Sequence, residues 1–198
     1  MHCEVQSPFD GSVVGSVELT PVEELPAVVT RARHGATLAA ALPRHQRAEL
    51  LQRAASMVEQ QAAEFARTIV QESGKALRQA RKEVARCVNT LRLSAEEAKR
   101  HSGEIIPFDA YAGAEDRSGY FTNEPLGVIL AITPFNDPLN LVAHKLGPAL
   151  AAGNAVILKP SLLASLSAVR LAECLWQAGV PRDALQLVHG GSEVAAPL

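Results

Sequence analysis

Apolar residues recur at three- and four-residue spacing over residues 46–70, where Leu50, Leu51, Ala54, Val58, Phe65 and Ile69 share one face. The spacing predicts one long helix, stopped by the glycine in Glu72-Ser73-Gly74-Lys75. A second amphipathic run follows, with Leu77, Ala80, Val84, Cys87, Val88, Leu91 and Ala95 on one face, and is expected to end near Gly103. Before these helices, residues 4–20 read as short extended segments, with Val13, Val14 and Val17 around turn signals at Asp10-Gly11 and Gly15. Thr20 and Pro21, followed by Glu23 and Glu24, fit an N-cap and the first helical position. After the helices, residues 104–123 change character. Ile105, Ile106, Phe108, Tyr111, Tyr120 and Phe121, punctuated by Pro107, Gly113 and Gly119, predict a β-hairpin or protruding loop.

From Leu126 the pattern alternates between strand and helix. Val128–Ile132 is a continuous apolar run, as for a strand covered on both faces. Asp137-Pro138 reads as an N-cap and N1 pair, opening a helix disturbed at Pro148 and ended near Gly153. A second buried strand runs from Ala155 to Leu158. Ser165 is placed to cap a helix bearing Leu166, Val169, Leu171, Cys174 and Leu175, stopped by Gly179 and Pro181. Leu185 to Val188 forms a third strand. Repeated strand–helix–strand units predict a parallel, right-handed α/β sheet.

Composition narrows the function. A net charge of -2 sets up no strong field toward nucleic acid or an anionic membrane, and 4% aromatic content argues against base-stacking platforms. No apolar run approaches the ~18 residues of a membrane span, and the first residues lack the pattern of an export signal. The cysteines, Cys3, Cys87 and Cys174, are far apart, with no CxxC and no zinc-like spacing. No metal site is expected, and a reduced, cytoplasmic setting is.

In parallel sheets, ligands bind beyond the carboxyl ends of the strands. Those ends carry Ile132-Thr133-Pro134-Phe135-Asn136, Lys159-Pro160-Ser161 and Gly190-Gly191. Here the chain resembles the NAD(P)-dependent aldehyde dehydrogenases. The resemblance rests on Glu124-Pro125-Leu126-Gly127-Val128, Thr133-Pro134-Phe135-Asn136, His144-Lys145, Pro148-Ala149-Leu150-Ala151-Ala152-Gly153-Asn154 and Leu158-Lys159-Pro160-Ser161. Glu72-Ser73-Gly74-Lys75 and Ala178-Gly179-Val180-Pro181 fit the same pattern. Together they span essentially the whole chain.

The resemblance implies an α/β fold. Residues 1–123 would be N-terminal helices with an oligomer-contacting hairpin at 104–123. Residues 124–198 would be the first part of a Rossmann-like dinucleotide-binding domain, incomplete and without the catalytic domain. It implies NAD or NADP as cofactor, a small-molecule aldehyde as substrate, and a homo-oligomer. The family chemistry is oxidation of the aldehyde to a carboxylic acid through a cysteine thiohemiacetal, with nucleophile and general base supplied beyond this chain. Asn136 matches the oxyanion-hole asparagine, and its carboxamide N–H is the donor such a site needs. Lys159 matches the lysine that contacts the adenosine ribose or a 2′-phosphate. Ile132, Thr133, Pro134, Phe135, Ser161, Leu162, Gly190 and Gly191 would line the cofactor groove.

Two positions depart from the pattern. Leu162 stands where NAD-preferring members often carry an acid, which leaves strict NAD preference without its usual carboxylate. Gly190-Gly191 is followed by Ser192-Glu193-Val194-Ala195, with alanine where a second glycine is common, so any pyrophosphate would rest on the serine and the helix start. The wording Phe135-Asn136-Asp137-Pro138 is similar to a branch acting on small polar aldehydes such as lactaldehyde or phosphono-aldehydes. His144, Cys87 and Cys174 read as structural, Cys3 as incidental, Glu72 and Glu193 as caps or surface charges, and His189 as a weak groove candidate. The rival class is a truncated, non-catalytic binding or assembly module.

Overall fold

The structure, a computed structural model, describes residues 1–100 and 103–198. Strands β1 (His2–Gln6) and β2 (Val13–Glu18) pair antiparallel around the turn at Asp10-Gly11, while Gly15, read as a second turn signal, lies inside β2 opposite Val5. Helix α1 (Leu25–Ala41) follows a short 3-10 turn. Thr20 is not its cap. The Thr20 hydroxyl instead accepts from the His189 N–H at 3.0 Å, joining the N-terminal ribbon to the end of the parallel sheet.

The predicted helix over 46–70 is two helices, α2 (Arg44–Gln60) and α3 (Ala62–Ser73). The break falls at Gln61, whose backbone leaves helical geometry (φ -99°, ψ 17°). Its side chain reaches across to Arg170 at 3.5 Å. Gly74 ends α3 in the left-handed conformation, at φ 69°, which a side-chain-bearing residue adopts only with strain. Helix α4 is described over Leu77–Arg100. Residues 101 and 102, through which it was expected to run toward Gly103, lie outside the described residues. The hairpin is present, with β3 (Gly103–Ile106) antiparallel to β4 (Gly119–Thr122), and it leaves Ile105, Tyr111 and Tyr120 exposed.

The predicted parallel sheet is formed by β5 (Val128–Ile132), β6 (Ala155–Lys159) and β7 (Leu185–Leu187) in that spatial order. Helices α5 (Asn140–Ala151) and α6 (Leu166–Gln177) form the crossovers. Alternate residues of β6 enter different clusters. Val156 and Leu158 join a large core built from α2 to α6, while Ile157 packs with Leu25, Val28 and Ala32 of α1. The sheet is therefore covered on both faces, and one core runs through the segments on both sides of residue 123. Gly35 lets α1 approach closely: a Cβ there would fall on the Asp183 carbonyl.

Three expectations need correction. β5 is not covered like β6; it is an edge strand of this three-stranded sheet, and Ile132 is half exposed. α5 continues through Pro148, which is exposed within a turn of the helix end, where a lost backbone bond matters least. Neither Asp137 nor Ser165 caps its helix by side chain. Two glutamates from the helical layer do so. Glu83 Oε1 accepts from the Leu139 and Asn140 N–H groups at 2.9 and 3.1 Å. The Glu72 carboxylate accepts from Leu166 and Ser167 at 2.7 and 3.1 Å. A carboxylate at a helix N-terminus satisfies orphan donors and meets the positive end of the dipole.

Candidate active site at the strand ends

Two backbone bonds bring the carboxyl ends of the three parallel strands together. The Thr133 N–H donates to the Lys159 carbonyl at 3.2 Å, and the Val188 N–H to the Leu158 carbonyl at 2.9 Å. Thr133, Lys159 and His189 therefore line one edge of the sheet, with Gly190 and Gly191 just beyond.

Lys159 is only 8% exposed, yet it forms no ion pair or hydrogen bond through its ammonium among the described residues. An ammonium without a direct partner, with only the Glu193 carboxylate within electrostatic reach among the described residues, suits an anionic or polyhydroxy ligand. Beside it, burial and the Lys159 charge push the His189 ring down to about 4, so it is neutral at pH 7. The Thr133 hydroxyl and His189 Nδ1 are buried without a partner among the described residues. Such unsatisfied groups at one sheet edge fit a nucleotide with ribose hydroxyls and phosphates. Ser161 shapes the following turn by accepting from the Leu163 N–H at 3.3 Å, which leaves Leu162 half-buried in the middle of that turn. At the third strand, the Gly191 N–H is already occupied by the Glu193 carboxylate at 2.6 Å, and the helix beyond, α7 (Ser192–Ala195), is a single turn. Glu193 thus caps, and a phosphate there would have to displace it.

Asn136 lies in the bend between β5 and α5, exposed, with Pro134 and the half-exposed Phe135 beside it. Its carboxamide makes no hydrogen bond among the described residues and can donate outward. The residues around it were not legible as a site in the sequence. Asp137 is held by Lys75 and, at 3.2 Å, by Arg86; Lys75 also binds Glu83. These groups line a recess of about 320 Å³ beside the corner. One signal was available: Glu83 falls three residues after Ala80 and four before Cys87, a charge on an apolar stripe. His144 is exposed on α5 with Nε2 3.2 Å from Asn140 Nδ2, so it neither packs nor caps.

Cys87 and Cys174 are buried, and burial pushes both thiols up, away from the thiolate form. Among the described residues no His, Cys, Asp and Glu cluster could hold a metal ion, and no helix is long and apolar enough to cross a membrane.

The profile of the aldehyde dehydrogenase family matches residues 1–198. The chain is 60% identical to aspartate-semialdehyde dehydrogenase 1 of Pseudomonas canavaninivorans, over 100% of this chain and 42% of that protein. It is 47% identical to 3-sulfolactaldehyde dehydrogenase of Priestia aryabhattai, over 76% of this chain and 32% of that protein. The chain thus spans less than half the length of these curated relatives. NADP-dependent glyceraldehyde-3-phosphate dehydrogenase of Bacillus halodurans C-125, solved with NADP, superposes with a TM-score of 0.93 at 34% identity, over 98% of this chain and 41% of that one. Solved structures of this fold thus include a cofactor complex. The chain belongs to the aldehyde dehydrogenase family.

Proposed function

We propose that residues 1–198 are the NAD(P)-binding N-terminal part of an enzyme that oxidises an aldehyde to a carboxylic acid, with the cysteine nucleophile supplied by a segment outside these residues. The observation that carries this reading is the free carboxamide of Asn136 at the carboxyl end of β5, on the same sheet edge as Lys159. NAD or NADP, when bound, supplies the hydride acceptor. Lys159 would hold the adenosine ribose or a 2′-phosphate, with Thr133 and the turn at Ser161-Leu162 shaping the groove. Pro134 and Phe135 would wall its nicotinamide end. Asn136 would donate to the oxygen of the thiohemiacetal as its negative charge develops. A preorganised donor acts chiefly there, because the hydrogen bond strengthens with that charge.

The relatives named for aspartate semialdehyde and 3-sulfolactaldehyde support a small aldehyde that carries a charged or polar group. The exposed Ile105, Tyr111 and Tyr120 on the hairpin support its use in contacts between copies. The division at residue 123 would be one of role rather than of packing, with oligomer contacts on the first side and the cofactor edge on the second, since one core runs through both.

The test is Asn136→Ala in the full-length enzyme. Removing an oxyanion donor should lower kcat by about 10²–10³-fold and leave the cofactor KM nearly unchanged. Near-normal kcat with lost cofactor affinity would refute the assignment.

A further inference from the structure

Asn136 has no side-chain partner among the described residues, so its aim depends on what holds the backbone on either side. On the strand side, the Thr133–Lys159 backbone bond does this. On the helix side, the anchor is ionic. Asp137, the next residue, is held by Lys75 and Arg86. α5 begins at Asn140, and its first donors, Leu139 and Asn140, both end on Glu83. Lys75 binds the other oxygen of that same carboxylate. One ammonium therefore ties the residue after Asn136 to the group that caps the following helix.

The surroundings make this link hard to replace. The Glu83 side chain is 2% exposed, against 21% for Lys75 and 26% for Asp137. Lys75 and Arg86 balance Glu83 and Asp137, so loss of the lysine leaves two carboxylates facing one guanidinium. Burial works against the Lys75 charge, but the two carboxylates outweigh it and raise its pKa, while Asp137 is lowered by Lys75 and Arg86 despite its own partial burial. Lys75 arrives from a distant connection, directly after the left-handed Gly74 that ends α3. The helical layer thus reaches the strand-end corner through Lys75, Glu83 and Arg86, and Lys75 is the one that touches both carboxylates.

We propose that Lys75 is a positioning residue for the reaction: by bridging Glu83 and Asp137 it fixes the Asn136 corner in the geometry that an oxyanion donor requires. The proposal rests on the reading of Asn136 given above. A displacement of about 1 Å at a reacting centre can cost on the order of 10²-fold in rate, so a mobile corner would be felt in kcat before it was felt in binding.

The experiment is a double-mutant cycle in the full-length enzyme. Lys75→Met should lower kcat at least about tenfold with the cofactor KM within about twofold of wild type, and Lys75→Arg should restore most of the loss. In the Asn136→Ala background, Lys75→Met should add almost no further loss, because the group it positions is gone. Thermal unfolding of each variant separates this from general destabilisation. If Lys75→Met does not fold, Asp137→Asn takes one side chain off the lysine, leaves the Glu83 cap in place, and is read through the same cycle. An equal fold-loss in both backgrounds, or wild-type kcat in folded Lys75→Met, overturns the proposal. Normal kcat in Asn136→Ala alone defeats the oxyanion reading itself, and the Lys75 proposal falls with it.

Discussion

Leu162 sits three residues past Lys159, in the middle of a turn whose hydrogen bond is made by Ser161. Lys159 offers a positive charge at the sheet edge, and Leu162 offers no carboxylate to compete with a 2′-phosphate. Leu162→Glu would place like charges together when NADP binds, whereas the 2′-hydroxyl of NAD can donate to the new carboxylate. In the full-length enzyme, the ratio of kcat/KM for NAD over NADP should rise roughly tenfold, equivalent to ~1.4 kcal/mol. The comparison belongs at one fixed ionic strength, because salt screens the effect. An unchanged ratio would mean that Leu162 does not face the ribose. The placement of Asn136, Lys159 and the glycine pair at or just after strand ends was legible. The link between Lys75, Glu83 and Asp137 was not: Lys75 stands in the Glu72-Ser73-Gly74-Lys75 pattern after α3 and Glu83 on α4, and spacing alone does not show that they meet.

At the scale of elements, most helices and strands were legible from periodicity, as were the glycine stop at Gly74 and Glu72 as a cap or surface charge, but which side chain caps the start of α5 or α6 was not. Sequence rules look for a cap beside the helix, so Asp137 and Ser165 were the natural choices. The donors were instead satisfied by Glu83 and Glu72, 56 and 94 residues away in sequence. The same limit explains Val128–Ile132, whose apolar run is the same for a central strand as for the edge strand observed. Glu72 yields a measurable consequence. Burial raises its pKa above 4.5, partly offset by the hydrogen bonds from Ser167 and Leu166. A carboxyl group with a raised folded-state pKa favours folding at low pH, and that contribution is lost as pH rises through the folded value. Glu72→Gln keeps an acceptor oxygen but cannot titrate. The urea-unfolding stability of wild type relative to Glu72→Gln should therefore decline from pH 4.5 toward neutrality. A difference that does not change with pH would show that Glu72 titrates alike in the folded and unfolded chains.

For the molecule as a whole, the buried Cys87 and Cys174 bear on activity. Neither thiol has a histidine as hydrogen-bond partner among the described residues, and burial disfavours both thiolates, helped at Cys87 by the nearby Glu83 carboxylate. Purified 198-residue chain given excess aldehyde and NAD(P) should form no reduced cofactor, read by absorbance. Turnover that disappeared in Cys87→Ser or Cys174→Ser would overturn that expectation. The two capping glutamates carry a different implication, for the order in which the chain folds. During synthesis the helices that bear Glu72 and Glu83 leave the ribosome before the amides they cap have been made. Until Asn140 and then Ser167 emerge, Glu83 has only Lys75 to meet and Glu72 must stay in water or find a temporary partner. The apolar faces around them cannot close without trapping carboxylates short of their amide donors. The first half of the protein is thereby kept open until the sheet arrives, so these long-range bonds make early collapse of the helical layer self-limiting and bias the nascent chain against a compact, wrongly assembled intermediate.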